Sequence, residues 1–156
     1  MTTLPCLSIR QPWAWAILNA GKDVENRTWS TNYRGPLLIH AAKGCTRDEY
    51  EDAVDSIDAA TFAWSDATID VPGLSELPRG GIVGCARVTD IYGPDNRRSI
   101  WHNPGCYAWK LECVTPLAFR GLRGALGLFI VELVPSEVMA LSHAGLLANV
   151  EVIENG

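Results

Sequence analysis

The sequence predicts an α+β fold, a small β-barrel of about six strands with flanking helices, and three observations support it. Short apolar runs of strand length recur between Leu4 and Val134. Two stretches framed by helix start and stop signals interrupt them, Gln11 to Ala20 and Thr46 to Trp64. The chain, at 156 residues and 47% hydrophobic, is long enough to bury one core and too short for two ordinary domains. The expectation is one domain over residues 1–156, carrying an acidic helix and loop at about 46–79.

Leu4 to Arg10 reads as a first strand, with Leu7 and Ile9 sharing a face because strand side chains alternate. Pro12 suits a first helical turn and Gly21 a helix end, so they frame a helix in which Trp13, Ala16, Ile17 and Ala20 repeat at helical spacing. That stripe assigns Trp13 to the core and leaves Trp15 pointing elsewhere, as packing or as a wall of a cleft. Lys22 to Trp29 forms a second strand, and Gly35 to Ala42 a third, apolar and buried. His40 lies within it, either as a hydrogen-bonded core histidine or as a functional one.

Thr46-Arg47-Asp48-Glu49 has the form of a capping box, and Tyr50, Ala53, Val54, Ile57, Ala60 and Trp64 supply the apolar stripe that follows. Residues 66–79 are rich in proline and polar groups and read as a loop. Ile82 to Tyr92 is a long strand, and 95–105 a polar loop. In that loop Arg97, Arg98, Trp101 and His102 suit either a nucleic-acid backbone with a stacked base or an ordinary surface. Tyr107, Trp109 and Leu111 alternate as a half-buried strand. A connector at Arg120 to Gly124, a closing strand from Leu126 to Val134, and a helix from Ser136 to Leu147 complete the pattern, with 149–156 as a fraying end or an edge strand.

The net charge of -5 is unevenly placed. Asp48 to Glu76 holds nine acids and no Lys or Arg, so the other residues carry all 13 basic groups against the remaining nine of the 18 acids, a net of +4. That balance permits an anionic ligand. Five cysteines without a C-x-x-C pair, and three scattered histidines, give neither a metal site nor a disulfide framework. No apolar run reaches a membrane span, and a cytoplasmic protein is expected.

The candidate site is Gly21-Lys22-Asp23-Val24-Glu25-Asn26-Arg27. Glu25 and Arg27 share a strand face, and Lys22 reaches the same region from the helix–strand junction, so a cation, a carboxylate and a guanidinium converge. Arg34 and Lys43 are further candidate ligands, with Asp90 as a more distant carboxylate and Trp15 as a wall. Arg and Lys recognise phosphate, and a carboxylate accepts from a base amino group, so the set describes a nucleotide pocket. No Walker loop, dinucleotide turn, G-x-S-x-G elbow or H-E-x-x-H helix is present, and no cofactor or metal is expected.

Leu7-Ser8-Ile9-Arg10-Gln11-Pro12-Trp13-Ala14-Trp15, the Lys22 segment, and Tyr33-Arg34-Gly35-Pro36-Leu37-Leu38-Ile39-His40-Ala41 together resemble the ASCH domain. Its signature, G-x-K-x-x-E-x-R, places lysine, glutamate and arginine at the spacing of Lys22, Glu25 and Arg27. Tyr107-Ala108-Trp109 and Gly124-Ala125-Leu126-Gly127-Leu128-Phe129 extend the resemblance across residues 4–134. It implies a PUA-like barrel that binds RNA or DNA, or a small hydrolase or ribonuclease.

The leading expectation is therefore binding of RNA or a modified nucleoside by Trp15, Lys22, Glu25, Arg27, Arg34 and Lys43. The alternative is a hydrolase in the same cleft, with Lys22, Glu25 and Arg27 catalytic. A metal-independent ribonuclease needs only proton transfer and charge stabilisation, since the RNA 2'-hydroxyl is the nucleophile. The family's N4-acetylcytidine amidohydrolases use a lysine, a threonine three positions later and a glutamate on a later strand. Here Glu25 stands in the threonine's position, and Thr28 lies further along.

Overall fold

The structure, a computed structural model, describes residues 1–66 and 68–147; the expected terminal strand at 149–156 lies outside them. Among the described residues six strands and three helices follow in the order β1 (Thr3–Ile9), α1 (Trp13–Asn19), β2 (Val24–Arg27), β3 (Gly35–Ala41), α2 (Arg47–Ser65), β4 (Gly81–Tyr92), β5 (Tyr107–Gly121), β6 (Leu128–Glu132) and α3 (Pro135–His143). The strands form one sheet of order β2-β5-β4-β3-β1-β6. Only β1 and β3 pair in parallel; every other neighbouring pair is antiparallel.

The expected closed or nearly closed barrel is not confirmed: among the described residues the sheet does not close, and its ladder has two ends, β2 and β6. Its longest pairing, β4 with β5, shifts register at three points, and β3 with β4 shifts once between Ile39 and His40. Such irregularities bend and twist a sheet, here enough to bring its ends towards each other. Closure fails because β2 is four residues long and β6 follows β1 only as far as Leu7, opposite Leu128. A side chain crosses the remaining gap: Arg27 Nη2, on β2, donates to the backbone carbonyl of Ser8, on β1, at 2.7 Å.

Alternation along the strands separates two cores. Leu7, Ile9, Leu37, Ile39, Val88, Trp109 and Leu111 pack together with Ala14 and Ile17 of α1. Leu4, Cys6, Leu38, Ile82 and Cys85 pack instead with Leu141 of α3 and with Leu146. A third cluster joins Ala16 of α1, Val24, Trp101, Ala108 and Ile57 of α2.

The apolar stripe of α2 is buried only in part, and α3 ends at His143 instead of Leu147. Thr46 caps α2, its hydroxyl accepting from the Glu49 amide at 3.1 Å, and Asp66 ends it in the left-handed region at φ 56°. Ala53 and Ile57 are buried, but Trp64 is 79% exposed, because the last turn overhangs the surface that the middle of the helix covers. The expected connector at Arg120 begins later, since Arg120 and Gly121 belong to β5. There Arg120 holds the buried Glu137 of α3 through two bonds of 2.9 and 3.0 Å, while Glu137 also accepts from the Val134 amide at 3.0 Å.

Ile39 has no exposed surface and sits at the β3–β4 irregularity. Ile39→Ala should lower the unfolding free energy by about 2–5 kcal/mol, the range for truncating a fully buried aliphatic side chain, measured as a reduced urea midpoint with an unchanged slope.

Candidate functional site

The end of α1 sets the direction of Lys22. Gly21 adopts φ +73°, which suits glycine, and the Lys22 amide turns back to the Ala16 carbonyl at 3.2 Å. The lysine side chain is thereby sent inward and is 3% exposed. Its Nζ donates to the Val24 carbonyl at 2.5 Å and lies 5.5 Å from the Trp13 ring centroid, within reach of a cation–π contact. Burial pushes the Lys22 amine below its ordinary range, and the Glu25 carboxylate opposes that fall.

Glu25 occupies β2 opposite Trp109 of β5, two residues before Arg27 on the same face. One carboxylate oxygen is 3.6 Å from Lys22 Nζ, and the other is 3.5 Å from Arg27 Nε. Both contacts are electrostatic pairs too long for good hydrogen bonds. Glu25 Oε2 and Arg27 Nε are consequently buried without a hydrogen-bond partner among the described residues. The unsatisfied acceptor oxygen is the one facing Lys22, whereas Arg27 Nε faces the other oxygen, so the carboxylate and the guanidinium each keep unused capacity.

Two cavities meet at this carboxylate. A cleft of about 660 Å³ is lined by Glu25, Arg27, Arg10, Trp13, Trp29 and the Gly124–Gly127 segment, among others. A smaller cavity of about 190 Å³ is lined by Lys22, Glu25, Asn26, Trp13, Trp101 and Asn103, with residues of α2 beside them. Glu25, Asn26 and Trp13 form the shared wall. Lys22 and Arg27 therefore flank Glu25 from opposite cavities rather than facing one space.

The remaining sequence candidates lie elsewhere. Trp15 is half-buried against the cluster of Ala16, Val24 and Ile57. Arg34 is exposed, 4.0 Å from Asp90, and donates to the carbonyls of Thr31 and Tyr33. Lys43 is exposed beside Gly80. None of the three lines either cavity. In the 95–105 loop, Trp101 and His102 are buried, so they offer no exposed stacking face. Trp13, assigned to the core by its helical stripe, does pack there and is also one of the two tryptophans of the cleft.

Arg10, Trp29 and the Gly124–Gly127 segment were not legible as site residues from charge and spacing. One signal for Trp29 was present: it continues the alternation of Glu25 and Arg27. It packs edge-on to Trp109, with ring centroids 4.9 Å apart and planes at 89°.

The order of these residues along the chain can be compared with known proteins. The model of the ASCH domain matches residues 7–122. This chain belongs to the ASCH domain family. The match takes in Lys22, Glu25 and Arg27, both long strands β4 and β5, and all but the Gly124–Gly127 side of the larger cleft. Among curated proteins, the ASCH chain is 34% identical over 86 residues to human "Activating signal cointegrator 1", and 34% identical over 85 residues to its mouse counterpart. Each alignment covers 54% of this chain and 14% of the relative, so this ASCH protein corresponds to a small part of those longer proteins.

Among the described residues no group of three His, Cys, Asp or Glu side chains is arranged to hold a metal ion, and no helix is long and apolar enough to cross a membrane. The ASCH cleft offers a carboxylate, a serine hydroxyl, two indole rings and two arginines among its lining groups.

The Lys22 shift gives a pH test. With the folded-state value below the ordinary 10.5, the unfolded chain binds more protons in the interval between the two, so the lysine's contribution to stability rises with pH across it. The unfolding free energy of the parent minus that of Lys22→Met should climb as pH approaches 10.5 and then level off. A difference that stays flat or falls over that range would contradict a depressed Lys22.

Proposed function

We propose that this ASCH protein binds RNA, or a modified nucleoside, by taking a base into the larger cleft. The supporting observation is the unused hydrogen-bonding capacity of Glu25 and of Arg27, both of which line a cleft that also carries Trp13 and Trp29. A base edge offering an amino donor beside a ring or carbonyl acceptor complements that pair, as cytosine and adenine do. The indole rings supply apolar surface for the base itself. Membership of the ASCH family, with the nucleic-acid binding that the resemblance implies, points the same way. Arg10 at the cleft is the phosphate contact in this reading, with the exposed Arg34 and Lys43 as more distant contacts along a bound strand.

Binding to single-stranded RNA should weaken with salt, log affinity falling against log salt by about 0.7 for each phosphate neutralised. Glu25→Gln keeps the shape but replaces a charge-assisted bond with a neutral one, and should reduce affinity about tenfold or change the preferred base. Affinity that is flat from low to physiological salt and untouched by Glu25→Gln would reject this mode.

A second reading, a metal-independent ribonuclease, is favoured by one observation: a buried amine held below its usual range stands 3.6 Å from a carboxylate at the cleft. Glu25 would exchange the proton with the RNA, and Lys22 would adjust its basicity from the far side. Purified protein would then cleave labelled RNA without added metal, and Glu25→Gln and Lys22→Ala would each slow cleavage about a hundredfold or more. Intact RNA, or cleavage unchanged in both variants, leaves the binding reading. Release of acetate from N4-acetylcytidine in the same assay would identify an amidohydrolase that works without a threonine at the position of Glu25.

A further inference from the structure

A second pair of reactive side chains lies at the β1 side of the same cleft. Ser8 and His40 are direct partners in the parallel β1–β3 register, and Ser8 Oγ is 2.9 Å from His40 Nδ1. The other ring nitrogen, Nε2, is 2.6 Å from the Leu122 carbonyl oxygen. A carbonyl only accepts, so Nε2 carries the proton and Nδ1 is left as the acceptor. Ser8 Oγ–H therefore donates to the imidazole, which is the polarity required of a hydroxyl nucleophile and its base.

The imidazole is held still. It is 2% exposed, meets Phe129 edge-on with centroids 6.1 Å apart, and is covered by Gly124. A side chain at Gly124 would place Cβ 2.8 Å from His40 Cε1 and 3.1 Å from Ser8 Oγ, so only a glycine leaves the pair undisturbed. The serine is different: it is partly exposed and lines the cleft. Arg10, one residue beyond the end of β1, and Ala42, one residue beyond the end of β3, also line the cleft. Arg27 is tied to the carbonyl of Ser8 itself and lines the cleft with Arg10, so two cations serve the space in which Ser8 would react.

We propose that Ser8 is a nucleophile and His40 its general base, for hydrolysis of small carboxylic esters whose aromatic or nucleoside-sized part rests against Trp13 and Trp29. Ser8 Oγ bonds to the ester carbonyl carbon as its proton passes to His40 Nδ1. The negative charge that develops on the carbonyl oxygen is stabilised by the arginines of the cleft. The bond from carbon to the alcohol oxygen then breaks, the alcohol takes the proton from Nδ1, and an acyl-Ser8 remains. Water yields a proton to Nδ1 and bonds to the acyl carbon, Ser8 Oγ leaves with that proton, and a carboxylic acid is released. This activity shares Arg10, Arg27, Trp13 and Trp29 with the proposed base-binding cleft but uses neither Glu25 nor Lys22.

The test treats the full chain with a reporter-bearing alkyl fluorophosphonate and locates the adduct by mass spectrometry, alongside turnover of p-nitrophenyl acetate. The expected result is one adduct per chain on Ser8, no adduct and no turnover above background in Ser8→Ala, and turnover about a hundredfold or more slower in His40→Gln. If His40→Gln melts well below the parent, Ser8→Cys replaces it: the introduced thiol, whose proton His40 Nδ1 can accept, should react with iodoacetamide faster than the exposed Cys113 of the same chain. An unlabelled Ser8, ester turnover that survives Ser8→Ala, or an introduced thiol slower than Cys113 would each overturn the proposal and leave Ser8 and His40 as a cross-strand structural pair.

Discussion

A carboxylate that is 7% exposed must be paired, and the pairing of Glu25 dictates much of what surrounds it. Its partners come from either side along the chain, Lys22 from the helix–strand junction and Arg27 from the same strand face. Removing one partner of such a group typically costs about 3–5 kcal/mol, because the remaining charge is stranded away from water. Lys22 cannot reach Glu25 unless α1 ends at a residue able to adopt positive φ, so Gly21 is part of the same constraint. Arg27 cannot stay in place without an acceptor for its other nitrogen, which the Ser8 carbonyl provides.

That last contact is also why the sheet and the cleft have the same cause. A sheet that curls without closing leaves unpaired backbone at its facing ends. Here one such carbonyl, that of Ser8, is satisfied by a guanidinium instead of a strand, and the space beside that guanidinium is the larger cleft. The gap in the ladder is thus a polar feature lined by two tryptophans. Glu25 lines this cleft and also a second, smaller cavity.

The acids of α2 are segregated from this region, with one exception at the rim, where Arg10 Nη1 meets Glu49 Oε2 at 2.5 Å. Both side chains are largely exposed, so the contact is weak and screened by salt. An anionic ligand entering the cleft competes with Glu49 for Arg10. The acidic helix therefore sets the local charge against which any ligand is read, while most of its carboxylates remain in water.

Local signals determined a good deal. Alternation identified the strands, Gly21 and Thr46 marked helix ends, and the K-x-x-E-x-R spacing put Glu25 and Arg27 on one strand face. These are short-range facts, fixed by the period of a strand and by the φ that a residue tolerates. What spacing could not reach was which distant segments share a cavity. Arg34 and Lys43 carry suitable charges but emerge from ends of elements that point away from the gap. Arg10 enters the cleft because β1 runs beside the curled end of β2. The status of His40 was equally open, since a strand position fixes its face but not what lies across it; only the β1–β3 register and the fold of residues 122–124 over it supply Ser8 and the Leu122 carbonyl. The unclosed sheet belongs to the same class, because closure depends on the accumulated twist of β4 and β5 and on how far β6 follows β1. Residue types and their periodicity indicated most of the elements and placed Glu25 and Arg27 on one strand face, whereas the extent of β2 and β5, the cavities, their walls and the Ser8–His40 contact arise from long-range register, which no local pattern encodes.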